Sequence, residues 1–237
     1  MPYYLYTKNL ESYNKKLILA NSYFTSKAIK ASMGIAAKVL YPPVPNAVFE
    51  KASTTQTIHR ENLVVTIARF GVGKVELVPE IAHLTDKRIK FCLIGLAHDL
   101  NVVQEVKRRI KKLNLEGRVI IITNASRQDI KAFLDRSKIY LHTMKMEHFG
   151  ISIAEAMARG CLPVVHDSGG APEFVPDEYR YRTPQEAAKI IEQEISEWTP
   201  EKAEKMMNIA ERFSEKNFAK RFIELFEEFC DSVFTHQ

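Results

Sequence analysis

Glu147 and Glu155 frame the segment EHFGISIAEAMARG: a carboxylate, a glycine turn, then an expected helix with a second carboxylate in its first turn. Gly150 lets backbone approach a bound group with no side chain in the way. The helix opening at Ile151 and Ser152 offers unpaired N–H groups and the positive end of its dipole, which suits a diphosphate. Glu155 can accept hydrogen bonds from a ribose diol, and Glu147, ahead of the turn, from sugar hydroxyls. Each part has a physical use if the ligand is a nucleotide sugar. The plainer alternative is a helix with an acidic first turn, which the macrodipole favours without any ligand.

Positive charge lies upstream. The run LVVTIARFGVGK reads as a buried strand, Leu63 to Ile67, entering a loop that carries Arg69 and Lys74. In an open α/β sheet, ligands bind beyond the carboxyl ends of the strands, where this loop falls. Arginine forks onto phosphate oxygens and lysine adds a mobile point charge. Downstream, Cys161 to Val165 is a further short apolar run, followed by the loop His166-Asp167-Ser168-Gly169-Gly170.

The elements that must position these groups alternate between strand and helix from residue 61, as in a parallel sheet. Strands are expected at 63–67, 90–95, 118–122, 139–142 and 162–165. Val102, Val103, Val106, Ile110 and Leu113 form a helical stripe between two of them. Ser126 with Asp129, and Thr183-Pro184 with Glu186, read as capping boxes, and Thr199-Pro200 opens another helix. Upstream lie a strand LILA, a helix from Ser22 to Met33 closed by Gly34, and a strand AKVLY. Tyr41 to Pro45 and the polar stretch Ser53 to Glu61 read as a linker.

The Arg-x4-Lys pair, the Glu-x7-Glu segment around a Phe-Gly turn and the loop SGGAPEFV resemble glycosyltransferase family 4, over about Leu17 to Phe229. The resemblance implies a GT-B fold, two facing Rossmann-like domains with the donor held mainly by the C-terminal one. Residues 61–200 are then the nucleotide-sugar-binding domain and 1–45 a remnant of the N-terminal domain. Residues 46–60 are the linker, and 201–237 are helices crossing back toward the N-terminal domain. It also implies that Arg69 and Lys74 neutralise the donor diphosphate, that Glu155 holds the ribose and that Glu147 contacts the transferred sugar. Backbone groups of His148, Phe149, Gly150 and Ile151 would close around phosphates and sugar. Gly95 would lie where the nucleotide approaches the sheet, and Asn124 to Ser126 beside the base.

Within the family, IYLHTMKMEHFGISIAEAMA is most similar to α-1,2-mannosyltransferases of lipid-linked oligosaccharide assembly. The family resemblance implies retention of configuration, and this closer similarity implies a GDP-mannose donor and a glycan or lipid-linked acceptor. The family's N-terminal glycine-rich loop and active-site histidine have no counterpart here. The chain is therefore expected to be a donor half that binds nucleotide sugar but transfers little alone. The alternative is a non-catalytic donor-binding subunit that pairs with a separate acceptor domain.

Apolar residues at 46% and charged residues at 27% are ordinary globular values. No run reaches the ~20 apolar residues of a membrane span, and the N-terminus does not read as a signal peptide. Cys92, Cys161 and Cys230 have no metal or disulfide spacing. Two lie in expected strands and read as small core residues of a cytoplasmic protein. Residues 1–60 hold eight basic residues against two acidic ones, +6 of the net +5, so the remainder carries −1. That asymmetry suits peripheral contact with an anionic membrane face better than nucleic acid, for which no recognition motif stands out.

Other chemistries find no support. Ala68 and Val75 replace the first glycine and the Ser/Thr of a P-loop around Gly73-Lys74. There is no Gly-x-Ser-x-Gly elbow, no dinucleotide fingerprint and no HExxH, so neither cofactor nor protein-bound metal is expected. His142, ending a strand, reads as structural, and His148 as part of the site. Phe218, Phe222, Leu225, Phe226 and Phe229 repeat at helical spacing, which ordinarily marks core. The family resemblance implies instead that part of this stripe faces an N-terminal domain or favours self-association.

Overall fold

The computed structural model describes residues 16–49, 60–71, 73–97 and 99–234. Residues 1–15 of the expected N-terminal remnant and 50–59 of the expected linker lie outside them. A parallel pair, β1 (Leu19–Ala20) and β2 (Lys38–Val39), is joined by helix α1 (Tyr23–Met33). Helix α2 (Asn46–Phe49) follows. A six-stranded parallel sheet then comprises β3 (Glu61–Ile67), β4 (Lys90–Gly95), β5 (Val119–Thr123), β6 (Ser137–His142), β7 (Leu162–His166) and β8 (Arg180–Tyr181). Its connections carry α3 (Val78–Leu84), α4 (Leu100–Lys112), α5 (Arg127–Arg136) and α6 (Ile151–Ala158). Helices α7 (Pro184–Ser196), α8 (Pro200–Glu211) and α9 (Glu215–Phe234) complete the chain. Among the described residues no helix is long and apolar enough to cross a membrane.

The sheet order is β5-β4-β3-β6-β7-β8. The chain therefore builds outward from β3 in both directions, and the loops leaving β3 and β6 part at the switch point between them. Such a point opens the crevice in which α/β proteins bind ligands. Strands β3, β4, β6 and β7 are continuous apolar runs because both faces are covered. Edge strand β5 is less enclosed, and its Ile120 is exposed.

The expected caps are present. Ser126 and Asp129 form a capping box on α5, as do Thr183 and Glu186 on α7. Ser22 and Gly34 bound α1, with Gly34 left-handed at φ 70°. Strand β5 starts one residue later than the pattern suggests, because the Leu115 carbonyl accepts the N–H groups of both Arg118 and Val119 and holds Arg118 in a turn. At two residues, β8 is too short to leave a periodic signal.

The stretch after β2 is not a loose linker. Val44 is fully buried and its N–H donates to the Phe213 carbonyl at 2.7 Å. The Tyr41 ring packs on Phe149 and Phe213, at centroid distances of 5.6 and 5.5 Å. Helix α2 falls where the linker was expected, and its Val48 carbonyl accepts from the buried Arg159 guanidinium at 3.1 Å. The prolines make this segment extended, and its apolar side chains decide that it docks. Glu173 fastens the same region to the sheet: its carboxylate accepts the first two N–H groups of α1, Tyr23 at 2.9 Å and Phe24 at 2.7 Å, and the Tyr41 hydroxyl at 2.8 Å. Helix α9 divides its stripe, with Leu225 buried while Phe222, Ile223 and Phe226 are exposed.

Candidate functional site

All six strands run in one direction, so the loops leaving β3, β4, β5, β6 and β7 share one edge of the sheet. Arg69 is exposed in the β3 loop and Lys74 is half-buried there. The loop is shaped by Glu76, which sequence reasoning missed. Its carboxylate accepts the Gly73 N–H at 2.8 Å and the Val75 N–H at 3.0 Å. Burial pushes the Glu76 carboxyl upward, but these backbone donors outweigh it and hold it below the usual carboxylate range. The only available signal was a glutamate three residues beyond a glycine. The Thr143 hydroxyl, just past β6, donates to the Lys74 carbonyl and ties together the two loops at the switch point.

Gly95 has a packing explanation. A Cβ there would lie 1.6 Å from the Ala68 carbonyl oxygen, so only glycine lets the chain leaving β3 pass this close to β4. Asn124 is exposed and left-handed at φ 58°, and its N–H donates to the Gly95 carbonyl at 2.8 Å. Ser126 is committed to capping α5.

The Glu147 loop is held from below. Met146 is left-handed at φ 55°, rare for a side chain of its size, and its N–H donates to Ser168 Oγ at 2.9 Å. Gly170 N–H donates to the Glu147 carbonyl at 2.7 Å. A Cβ on Gly169 would meet that carbonyl oxygen at 2.3 Å, and one on Gly170 would meet the His148 carbonyl oxygen at 2.1 Å. The glycines of the β7 loop thus form the bed under Glu147 and His148. Glu147 Oε1 accepts the His148 N–H at 3.0 Å, and Oε2 lies 3.2 Å from His142 Nε2. The His142 imidazole, the His148 N–H and the charge of Lys74 together hold Glu147 below the usual carboxylate range, against the opposing effect of burial. His142, read from sequence as structural, therefore stands beside the first site carboxylate.

Gly150, left-handed at φ 94°, begins α6, and no side chain caps this helix. A Cβ at 150 would lie 2.5 Å from Ile153 Cδ1. Ile151 is exposed at the open end. His148 is exposed, with its ring 6.3 Å from that of Phe24. Phe149 contributes only backbone to this edge, since its side chain is buried among Tyr41, Phe174 and Phe213.

Glu155 corrects one expectation. It is the fifth residue of α6 and lies beyond the first turn, where a carboxylate gains little from the macrodipole. It is half-buried, and burial raises its carboxyl, with Arg127 opposing. Both glutamates act on Tyr140 between them. The phenol is raised by burial and then by the charges of Glu155 and Glu147, while its hydroxyl donates to Ser152 Oγ at 2.7 Å.

A raised carboxylate favours the folded, unliganded protein while protonated and loses that contribution as pH rises through its folded-state value. A diol donating to the ionised form would reverse the shift. A ligand held through such a diol is therefore expected to lose affinity as pH drops from 7 to about 5, with a flatter profile in Glu155→Gln. Calorimetry across that range checks this, and parallel profiles for the two proteins would count against a ligand on Glu155.

The glycosyl transferases group 1 family model matches residues 50–227. Two curated relatives are named GDP-Man:Man(3)GlcNAc(2)-PP-Dol alpha-1,2-mannosyltransferase. The one from Dictyostelium discoideum is 28% identical over 233 residues, covering 88% of this chain and 46% of the relative. The one from Neurospora crassa is 30% identical over 211 residues, covering 80% and 38%. The chain thus spans less than half the length of these relatives. Among solved structures, Anabaena HepE in complex with UDP and glucose superposes with a TM-score of 0.79 at 23% identity, covering 90% of this chain and 63% of that one. A glycosyltransferase from Rickettsia africae also gives 0.79, at 20% identity and with 95% and 69% covered. At these identities the likeness establishes the GT-B glycosyltransferase fold.

Proposed function

The chain belongs to the glycosyl transferases group 1 family, and we propose that it holds a nucleotide diphosphate sugar, GDP-mannose, for transfer of mannose to a lipid-linked glycan with retention of configuration. One observation carries this reading: a cation loop and a carboxylate loop meet at the switch point of the sheet, joined by the Thr143–Lys74 bond. As the bond from the anomeric carbon to the diphosphate lengthens, negative charge grows on the departing oxygen. Arg69, Lys74 and the uncapped N-terminus of α6 are the groups suited to stabilise it. Glu155 takes the ribose hydroxyls and Glu147 the sugar. The names of the curated relatives support mannose and a lipid-linked acceptor. A basic N-terminal segment suits a protein working against the cytoplasmic face of a membrane.

The test separates the two glutamates. GDP and GDP-mannose, with UDP and UDP-glucose as a nucleobase control, are titrated calorimetrically in the presence of chelator. Glu155→Ala is expected to weaken GDP by roughly 1.5–3 kcal/mol, the value of a hydrogen bond to a charged acceptor. Glu147→Ala leaves GDP unchanged and weakens GDP-mannose alone. Equal losses of both ligands in both variants, or binding that requires added magnesium, would contradict this division of roles.

A further inference from the structure

We propose that His142 is a positioning residue for Glu147, fixing the carboxylate so that its free lone pairs face the transferred sugar. The inference rests on Glu147 contacting that sugar. Residue 142 is buried, 8% exposed, and its ring stacks along that of Tyr140, at 6.3 Å and an interplanar angle of 20°. Its carbonyl accepts the Tyr181 hydroxyl at 3.1 Å, so the backbone beneath the ring is held as well. Nε2 is 3.2 Å from Glu147 Oε2 but off the line of a hydrogen bond, and it is a buried ring nitrogen without a hydrogen-bond partner among the described residues.

A buried polar atom left unpaired is unfavourable, and a small rotation of the Glu147 carboxylate would pair this one. Oε1 already receives the His148 N–H. With a proton on Nε2 donated to Oε2, each carboxylate oxygen has one internal donor and one lone pair left for a sugar hydroxyl. The left-handed Met146 and the glycine bed of the β7 loop set the backbone, and His142 sets the side chain. Such support decides whether a binding carboxylate is held in a productive orientation.

The readout is the ratio of affinities for GDP-mannose and GDP, measured by calorimetry on the chain and its variants. His142→Phe keeps the ring and its stack but removes the donor. His142→Asn, whose amide stops short of Nε2, is a second variant of the same kind. Both are expected to move the ratio about tenfold against the sugar conjugate, the worth of one hydrogen bond, while the GDP affinity stays within about twofold. His142→Gln, whose amide reaches the Nε2 position, restores most of the ratio. H142F combined with E147Q gives the ratio of E147Q alone, since both act on one contact. A ratio unchanged in H142F and H142N while E147Q shifts it overturns the role of His142 and leaves the donor-site reading standing. A ratio that E147Q also leaves unchanged overturns both. Parallel loss of GDP and GDP-mannose without recovery in H142Q makes His142 a packing residue and overturns the proposal.

Discussion

Replacing Arg69 and Lys74 together by alanine is expected to weaken GDP binding by roughly 3–6 kcal/mol, about 10²- to 10⁴-fold, as two charge-assisted contacts to phosphate are lost. Each single variant should lose about 10- to 100-fold. Arg69→Lys should recover only part of its loss, because an ammonium cannot fork onto two oxygens. Both side chains sit on the loop leaving β3, and neither forms an ion pair within the protein among the described residues. Their removal should therefore leave folding stability within about 0.5 kcal/mol of the parent. The loop itself is kept in shape by Glu76 and by the Thr143 bond to the Lys74 carbonyl, neither of which the substitutions touch. Calorimetric titration of GDP, with urea unfolding of the same preparations, separates the two effects. A double variant that binds GDP within threefold of the parent would remove the phosphate from this loop.

Phe149→Ala is expected to cost about 3–5 kcal/mol of folding stability, the range for truncating a buried phenylalanine. Phe149 is 2% exposed and touches rings from three separate segments. They are Tyr41 at 5.6 Å, Phe174 at 5.0 Å and Phe213 at 5.0 Å, and Phe174 meets Phe213 at 5.1 Å. The surrounding rings belong to different elements, so they cannot all close over the space left behind. Phe149→Leu, closer in volume, should cost about 1.5 kcal/mol or less. Against a typical total of about 5–15 kcal/mol, the alanine variant loses a large part of its stability. The loss should appear as a lower urea midpoint with the slope unchanged. A loss below about 1 kcal/mol for Phe149→Ala would mean that this cluster does not hold the Glu147 turn to the rest of the protein.

The position of Phe149 between two site residues, Glu147 and Gly150, shows what was legible along the chain and what was not. The motif EHFG showed a carboxylate and a glycine turn ahead of a helix, as found, yet nothing local says that the phenylalanine turns inward while its neighbours stay at the edge. The apolar runs of β3, β4, β6 and β7, the stripe of α4 and the capping boxes of α5 and α7 were readable. Each is written in residues a few positions apart and expresses a short-range preference. The placement of the loops carrying Arg69, Lys74 and Glu147 at one edge follows from parallel strands, which the alternation of elements already required.

Other features depend on chain segments far apart in sequence. Glu173 caps α1 across a separation of 150 residues, and the docking of Val44 needs the Phe213 carbonyl. Gly95 is required by the Ala68 carbonyl, which reaches it only once β3 and β4 are paired. The sense of Glu155 changed because the helix starts at Ile151, which makes Glu155 its fifth residue and puts it just past the first turn. His142 faces Glu147 across only five positions in sequence, but the facing depends on a left-handed Met146 held by Ser168 from the next loop. From its own residues the chain determined the fold class, most of the strands and which loops gather at one edge of the sheet, because periodicity and capping are local. Only the tertiary structure decided which side chains support those loops, because a hydrogen bond or a steric limit between distant segments exists only after the sheet has brought them together.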